Sequence, residues 1–220
     1  MGDKSGTGRL FAFEGVDGSG KSTQIRICAQ SLLAAGREVV QVREPGGTPL
    51  SDAIRTLVLD PRHTVDARAE LLLYMAARAQ LVAEVIAPAL QAGKIVLADR
   101  FGWSTLAYQG YGRGLDLNDI AALMGVACGP VWPDFIAVLD IEPGARKQRL
   151  LQQGRPLDRI ESQGEEFFTR VRRGFLTLAA EGKTPSRVFS AEEPESVLAE
   201  QIQASLAAYL PPIIPSSSSV

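Results

Sequence analysis

The sequence predicts an α/β fold in which a mostly parallel β-sheet is covered by helices on both faces. Short apolar segments alternate with longer amphipathic segments along the 220 residues, and this alternation is typical of consecutive β-α-β units. The apolar segments also lack the polar alternation of a half-exposed strand. A chain with 45% hydrophobic and 22% charged residues has the composition of a globular domain, which excludes disorder and collagen-like repeats.

Five apolar segments are predicted to be the strands of this sheet. Each is apolar throughout or nearly so, as expected of strands that are buried on both faces. Right-handed crossovers between parallel strands would give three layers, with helices on either side of the sheet. The predicted strands are Leu10–Glu14, Val39–Val42, Ile95–Asp99, Phe135–Asp140 and Arg187–Ser190.

The connecting segments are predicted to be helical. One of them, Ala67–Leu90, has more apolar residues than a single stripe on a surface helix can hold. We expect it to be buried on more than one side, either as a central core helix or at a subunit interface. The predicted helices are Lys21–Ala35, Pro49–Leu59, Asp66–Gln91, a pair within Trp103–Ala127, Gly144–Gln153, Glu165–Glu181 and Pro194–Tyr209.

The chain is predicted to form one domain, residues 9–210, between two flexible ends, residues 1–8 and 211–220. No apolar run approaches the roughly 18 residues that span a bilayer, and the N-terminus lacks a secretory signal, so we expect a cytoplasmic protein. A net charge of -2 argues against binding to nucleic acid or to an anionic membrane. One histidine and two cysteines cannot form a zinc framework, and Cys28 and Cys128 are predicted to be buried thiols.

The segment after the first strand predicts a phosphate-binding loop. Its sequence, G-V-D-G-S-G-K-S, fits the pattern G-x-x-x-x-G-K-[ST]. The glycines let backbone N–H groups approach a phosphate, and the following helix directs its N-terminus at the same anion. Lys21 would reach the β- and γ-phosphates of a nucleoside triphosphate, and the Ser22 hydroxyl would bind Mg²⁺. The predicted ATP-binding residues are Gly15, Val16, Asp17, Gly18, Ser19, Gly20, Lys21, Ser22 and Thr23.

An acidic residue closes the third predicted strand. Asp99 is the last residue of a strand that is expected to lie beside the first one. In such folds an acidic residue at this strand end holds Mg²⁺ through water. The alternative interpretation is that Asp99 caps the next helix. Residues 99–102 also fit the D-x-x-G pattern of GTPase switches, but the sequence has no N-K-x-D element to bind guanine, which disfavours a switch.

Three further segments suggest a second ligand. Residues 43–48, R-E-P-G-G-T, form a predicted tight turn after the second strand. Tyr74 and Arg78 share one helical face, where the ring could stack on a base and the guanidinium could bind its edge, although ordinary helix packing gives the same spacing. Residues 105–114, T-L-A-Y-Q-G-Y-G-R-G, are more polar and aromatic than a crossover helix requires.

Together these motifs resemble the bacterial thymidylate kinases, over residues 10 to about 175. The resemblance implies transfer of the γ-phosphoryl group of ATP to dTMP, which gives dTDP and ADP on the way to dTTP. It also implies a three-layer P-loop nucleoside-monophosphate-kinase fold with a five-stranded parallel sheet, a short lid at about residues 152–164, Mg²⁺ and a homodimer. The matching segments are residues 13–23, 43–48, 99–100, 108–110 and L-D-R-I-E at 157–161.

The resemblance also implies residue roles at the dTMP site. Arg100 would clamp the acceptor phosphate beside Asp17, with Arg43 and Glu44 at its border. Tyr74 would stack on thymine, where the family usually has Phe, while Arg78 would bond a thymine carbonyl. Tyr108 would pack against C2′ of the sugar, which would favour a deoxynucleotide. The implied dTMP-binding residues are Asp17, Arg43, Glu44, Tyr74, Arg78, Arg100, Thr105, Tyr108 and Gln109.

Phosphoryl transfer needs positively charged groups around the oxygens of the phosphoryl group that is being transferred. Some family members have an arginine inside the phosphate loop, where this chain has Gly18 and Ser19. Arginines 149, 155 and 159 flank a segment that resembles the bacterial lid, and Arg155 and Arg159 are predicted to be catalytic together with Lys21, Asp17 and Arg100. A solvated charged helix face is the alternative interpretation of the lid arginines.

A general base is not required, because the acceptor is a phosphate oxygen that is already anionic near neutral pH.

Two alternative functions remain besides the disfavoured switch. The chain could be a kinase for another small acceptor, since stacking on Tyr74 does not separate thymine from uracil. It could also be a homologue that binds nucleotides without catalysis.

Overall fold

The computed structural model describes residues 8–152, 154 and 156–212. Within this range the strands form one five-stranded parallel sheet in the order β2-β3-β1-β4-β5. The predicted α/β fold class and all five predicted strands are confirmed. The strands β1, β2 and β5 each extend one residue beyond the prediction. The observed strands are β1 (Arg9–Glu14), β2 (Val39–Arg43), β3 (Ile95–Asp99), β4 (Phe135–Asp140) and β5 (Ser186–Ser190).

The helices cover both faces of this sheet. Two segments, Val82–Ile86 and Leu106–Gly112, are π-helical, which the sequence analysis does not predict. They interrupt the predicted Asp66–Gln91 helix and the first helix of the predicted pair. The α-helices are α1 (Lys21–Ala34), α2 (Pro49–Leu59), α3 (Ala67–Leu81), α4 (Ala87–Gln91), α5 (Gly102–Thr105), α6 (Leu117–Cys128), α7 (Pro143–Gln152), α8 (Glu165–Glu181) and α9 (Glu195–Ala207).

Several helix ends have a local cause in the sequence. The Thr48 side chain accepts a hydrogen bond from the Ser51 N–H at 3.1 Å, and Pro49 occupies the first turn of α2. Asp66 caps α3 through the Arg68 N–H, so it lies just outside the helix that was predicted to include it. Pro194 likewise precedes α9 as its N-cap residue. These caps fix where the connecting segments leave the sheet.

The core lies on both sides of the three central strands. Leu10, Phe11 and Leu97 are fully buried, as expected of strands covered on both faces. Cys28 and Cys128 are free and buried, as predicted. The sheet is therefore a rigid support for the side chains at the carboxyl ends of its strands.

The continuous helical segment Ala67–Gln91 is long and apolar enough to cross a membrane by length and composition alone. Here it packs against the sheet, with Leu81 and Ile86 fully buried, and it carries the buried cation Arg78. Leu72 on the same helix is exposed. The predicted core helix is thus confirmed, while the predicted interface remains a prediction.

The strand register brings functional candidates to one edge. Phe13 pairs with Asp99 and Arg43 pairs with the same Asp99, so the ends of β1, β2 and β3 lie side by side. Of the two ends predicted to be flexible, Gly8 belongs to the domain and donates a hydrogen bond to the Leu90 carbonyl at 2.8 Å. Residues 1–7 and 213–220, together with Gln153 and Arg155, lie outside the described residues.

Candidate active site

A cleft of about 710 Å³ opens at the carboxyl edge of the sheet. It has a donor half, formed by the phosphate loop, and an acceptor half, formed by residues that follow β2 and β3 and by α3. Every residue implied to bind dTMP lines this cleft, as do Asp99 and most of the phosphate loop. The predicted residues that line it are Asp17, Gly18, Ser19, Gly20, Lys21, Ser22, Thr23, Arg43, Glu44, Tyr74, Arg78, Asp99, Arg100, Thr105, Tyr108 and Gln109.

The phosphate loop is closed around Lys21. The Lys21 Nζ donates hydrogen bonds to the Gly15 carbonyl at 3.1 Å and to the Val16 carbonyl at 3.0 Å. A Cβ on Gly15 would lie 2.3 Å from the Leu139 carbonyl oxygen, so only glycine fits there. Burial, and then the charge of Arg100, lower the pKa of Lys21 to about 8. The loop is thus preorganised with its lysine already desolvated.

Ser22 and Asp99 form an oxygen pair beside the loop. The Ser22 Oγ donates to Asp99 Oδ2 at 2.5 Å. Asp99 therefore does not cap α5, which excludes the alternative interpretation of this residue in this structure. A hydroxyl and a carboxylate are hard donors of the kind that suit Mg²⁺. Within the described part of the chain no cluster of three or more His, Cys, Asp or Glu side chains could hold a metal, so phosphate oxygens and water would have to complete the coordination.

Arg100 is the central cation of the acceptor half. Its Nη2 donates to Asp17 Oδ1 at 2.7 Å and to the Tyr108 hydroxyl at 3.1 Å, while Nη1 donates to the Gly15 carbonyl at 2.9 Å. Its backbone has a φ of 75°, a left-handed conformation that is costly for a residue with a Cβ. Burial alone would raise the pKa of Asp17, but the charges of Arg100 and Lys21 hold it well below its usual value.

Glu14 binds the segment that follows Arg100, a contact that the sequence does not predict. This fully buried carboxylate accepts hydrogen bonds from the N–H groups of Phe101 and Ser104 at 2.9 and 3.1 Å, and from the Ser104 hydroxyl at 2.5 Å. The Ser104 hydroxyl in turn accepts from Arg100 Nη1 at 3.0 Å. Burial raises the pKa of Glu14 to about 7. An acidic residue at the end of an otherwise apolar strand was the available signal.

The base end of the cleft contains a buried ion pair. Arg78 donates from Nε to Glu44 Oε2 at 2.8 Å, from Nη2 to the same carboxylate, and from Nη1 to Thr105 Oγ1 at 2.8 Å. Glu44 was expected at the border of the acceptor phosphate, but its carboxylate instead orients Arg78. Its Oε1 is buried with no partner among the described residues. Tyr74 lines the cleft one helical turn before Arg78.

The π-helical segment Leu106–Gly112 presents Tyr108 and Gln109 to the cleft. Tyr108 donates to Asp17 Oδ2 at 3.1 Å. Its ring packs edge-on against Phe167, Phe168 and Phe175 of α8. This packing leaves the ring little room to move, which is what a steric filter requires.

The lid arginines separate in the structure. Arg149 lines the donor half, where Nη1 donates to the Gly18 carbonyl at 3.2 Å and Nη2 to the Ala191 carbonyl at 2.7 Å. Arg159 departs from its predicted role: it does not line the cleft, and its Nη2 donates to the buried Glu70 at 2.6 Å. The fully buried Glu70 requires a cation, which gives a physical reason for this orientation. Arg155 lies outside the described residues.

Arg55 is a cleft residue that the sequence does not predict. It lines the acceptor half and donates from Nη1 to the Pro45 carbonyl at 2.9 Å. An arginine on an amphipathic helix gives no local signal of its direction, because solvated and cleft-facing positions have the same spacing.

Comparisons with known proteins agree on one family. The family model described as thymidylate kinase matches residues 13–202. The chain is 47% identical over 192 residues to the thymidylate kinase of Pelotomaculum thermopropionicum, covering 87% of this chain and 89% of that protein. It is 45% identical over 209 residues to the enzyme of Pseudomonas fluorescens, with 94% and 97% covered. The crystal structure of thymidylate kinase from Ehrlichia chaffeensis matches with a TM-score of 0.74 at 30% identity, covering 91% of this chain and 99% of that one. The chain therefore belongs to the thymidylate kinase family.

Proposed function

We propose that this chain transfers the γ-phosphoryl group of ATP to dTMP, giving ADP and dTDP for dTTP synthesis. One observation supports the proposal most: Arg100 is bonded to Asp17 of the phosphate loop, and the buried ion pair of Arg78 with Glu44 lines the same cleft. Two phosphorylated ligands could meet there end to end. A GTPase switch would have no use for the acceptor half.

The donor half would hold the phosphates of ATP. Loop N–H groups and the N-terminus of α1 face the anion, and Lys21 would exchange its bonds with the Gly15 and Val16 carbonyls for phosphate oxygens. Arg149, which bridges the loop to Ala191, adds positive charge at this end. We assign Lys21 and Arg149 the charge neutralisation at the donor, while the predicted role of Arg155 stays a prediction.

Mg²⁺ is the proposed cofactor. Ser22 would bind it directly and Asp99 through water, since both offer oxygen atoms beside the loop. When bound, the cation would neutralise charge on the β- and γ-phosphates. The protein's own contribution is to hold these two oxygens at a fixed separation.

The acceptor phosphate would bind Arg100. Its guanidinium is held by Gly15, Ser104, Asp17 and Tyr108, which use its four Nη N–H groups, so it would exchange some of these bonds for phosphate oxygens while its position stays fixed. Asp17 would then lie beside both phosphates. Because the phosphate oxygen is anionic near neutral pH, alignment and charge neutralisation suffice for catalysis.

Thymine would stack on Tyr74 and bond Arg78. The second N–H of Arg78 Nη1 has no partner among the described residues, so it is available for a carbonyl oxygen of the base. Thr105 lies beside it and would also face the base. The immobilised ring of Tyr108 would exclude a ribose 2′-hydroxyl.

An acceptor panel tests this function. ADP release in the presence of ATP and Mg²⁺ should be fast for dTMP, slower for dUMP and negligible for GMP, CMP and thymidine. Fast turnover with another acceptor and none with dTMP would favour a kinase for a different small molecule. GTP turnover that does not depend on any acceptor would remove the kinase assignment, and binding without turnover would indicate a non-catalytic homologue.

We also propose a homodimer. Helix α3 packs against both α2 and α6, and these three helices expose Leu57, Leu72 and Val126, the last at 85%. Such an apolar surface fits a second copy of the chain. Light scattering after gel filtration should give twice the mass of the chain, and Val126→Glu should shift it to the monomer.

We expect the enzyme in the cytoplasm, where reducing conditions keep thiols such as the free Cys28 and Cys128 unpaired. Single-domain organisation, with a lid at about residues 152–164, remains part of the proposal. Neither nucleic acid nor membrane is needed as a partner for the proposed reaction.

A further inference from the structure

A buried carboxylate outside the cleft binds two arginines from distant parts of the chain. Glu70 of α3 is fully buried, and its Oε2 accepts hydrogen bonds from Arg159 Nη2 at 2.6 Å and from Arg113 Nη2 at 3.1 Å. Its Oε1 accepts from Gln109 Nε2 at 2.8 Å. We call these four residues the Glu70 cluster: Glu70, Gln109, Arg113 and Arg159.

Within the Glu70 cluster, two arginines and one glutamine donate hydrogen bonds to a single carboxylate. Burial alone would raise the pKa of Glu70, but hydrogen bonds and charge from Arg113, Gln109 and Arg159 hold it below its usual value. Arg113 also donates to Gln163 Oε1 at 2.9 Å and lies over the ring of Phe167. Removing Glu70 would leave two arginines without their shared anion, and removing Arg159 would leave Glu70 with a single cation.

Arg159 is fixed by three contacts from two helices. Besides Glu70 of α3, its Nε donates to the Val58 carbonyl at 2.7 Å and its backbone N–H to the Leu59 carbonyl at 3.0 Å, both in α2. Its neighbours Asp158, Ile160 and Glu161 line the cleft, whereas Arg159 does not. The arginine therefore points away from the cleft while the residues on either side face it.

The turn beside Arg159 is itself ordered. Asp158 Oδ1 accepts hydrogen bonds from the N–H groups of Ile160 and Glu161, both at 2.8 Å. Because this turn is rigid, fixing Arg159 also fixes the cleft-facing Asp158 and Glu161. The position of the C-terminal end of the proposed lid is thus set by a contact behind the cleft wall.

Glu70 also lies one helical turn before Tyr74, the residue proposed to stack on thymine. Gln109, which binds Glu70, follows Tyr108 directly, and Tyr108 bonds Asp17. The Glu70 carboxylate thus connects three parts of the chain. These are α3, which carries Tyr74, the π-helical segment that carries Tyr108, and the C-terminal end of the proposed lid.

We propose that Glu70 and Arg159 are positioning residues that hold the end of the lid against the thymine-binding helix, and that Arg159 does not act on the transferred phosphoryl group. The proposal rests on the proposed function, since it concerns the binding of dTMP in the same cleft. It differs from the role that resemblance implies for Arg159, which places this arginine over ATP.

A double-mutant cycle tests the proposal, with Arg159→Ala, Glu70→Gln and the double variant compared by steady-state kinetics and by calorimetric dTMP binding without ATP. We expect each single change to weaken dTMP binding and raise its KM about tenfold or more, because the cleft wall is misplaced. The double variant should bind dTMP little worse than the more impaired of the two single variants, because the effects of residues that act through one contact are not additive. Arg159→Lys, which keeps one donor toward Glu70, should recover part of the binding.

Two results together would overturn the proposal. Arg159→Ala would lower kcat while dTMP binding stays unchanged, and in the double variant the loss from Arg159→Ala would multiply the loss from Glu70→Gln. Arg172→Ala is the matched control: it breaks the ion pairs with Asp140 and Glu142, residues that do not line the cleft, and should lower Tm without changing the KM for dTMP. If Arg159→Ala does not fold, Arg159→Lys and Glu70→Gln answer the question alone, and normal dTMP binding by both overturns it. Wild-type protein that fails to bind dTMP would instead refute the proposed function.

Discussion

The two halves of the cleft are built from different parts of the chain. The donor half is mainly backbone: Lys21 donates to two loop carbonyls, and Arg149 donates to the loop carbonyl of Gly18 and to the carbonyl of Ala191. The acceptor half is made of side-chain ion pairs that already exist, Arg100 with Asp17 and Arg78 with Glu44. The proposed phosphate site thus depends on a local motif, whereas the proposed acceptor site depends on contacts between segments that are distant in the sequence.

This comparison predicts its largest effect at Lys21, the main cation of the donor half. Lys21→Ala removes charge from the transferring phosphates and should reduce kcat by about 10²-fold or more. dTMP binding in the absence of ATP should stay near wild type, because the acceptor half keeps its pairs. Steady-state kinetics and calorimetry measure the two quantities, and Lys183→Ala, at an exposed lysine, is the control. A large loss of dTMP binding would mean that the halves are not independent.

Arg100→Ala should be the next most damaging change, since it removes the acceptor clamp and leaves Asp17 without its closest cation. We expect kcat/KM for dTMP to fall by about 10²-fold. The KM for ATP should change much less. Arg100→Lys should recover only part of the activity, because an ammonium cannot reproduce bonds to Gly15, Asp17 and Tyr108 together. Equal losses for ATP and dTMP would place Arg100 in both halves.

Glu44→Gln tests the Arg78–Glu44 ion pair within the acceptor half. The substitution removes the charge that orients Arg78 while keeping one oxygen acceptor. We expect the KM for dTMP to rise about tenfold with kcat changed less, as loss of ground-state binding predicts. Glu38→Gln, at an exposed glutamate paired with Lys94, is the matched control. A fall in kcat at unchanged KM would return Glu44 to the phosphate border, where resemblance placed it.

The smallest predicted effect is a change in the pH dependence of stability. The pKa of Glu14 rises from 4.5 to about 7 on folding, so the folded protein favours the protonated carboxyl, and this residue's contribution to stability is lost as the pH rises across that interval. Glu14→Gln should therefore show a smaller fall in Tm between about pH 5 and pH 7 than wild type. Thermal melts at fixed ionic strength measure it, and parallel profiles for both proteins would contradict the assignment.

Sequence reasoning succeeded where the signal is local. Continuous apolar segments located all five strands, and the spacing of glycines and Lys21 located the phosphate loop, because each depends on residues close in sequence. It failed where the outcome depends on distant partners. The direction of Arg159 is set by Glu70, 89 positions earlier, and no local pattern contains that information. The role of Glu14 likewise depends on backbone N–H groups about 90 residues away.

The π-helical segments are a second kind of failure. The spacing of apolar residues in Leu106–Gly112 does not distinguish a π-helix from an α-helix, so the sequence predicts an α-helix there. Gly112 approaches Phe167 so closely that a Cβ would lie 2.7 Å from that ring. The wider helical turn is therefore stabilised by tertiary packing against α8, which lies far along the chain.

The left-handed backbone at Arg100 limits how this position can be changed. A glycine there would relieve the conformational cost, but it would also remove the hydrogen bonds to Gly15 and Asp17 and leave Asp17 without its closest cation. We therefore expect Arg100→Gly to gain no heat resistance and to lose the proposed contact with the acceptor phosphate. Attempts to raise the thermal stability of this enzyme should leave this residue unchanged, although its backbone conformation taken alone favours a glycine.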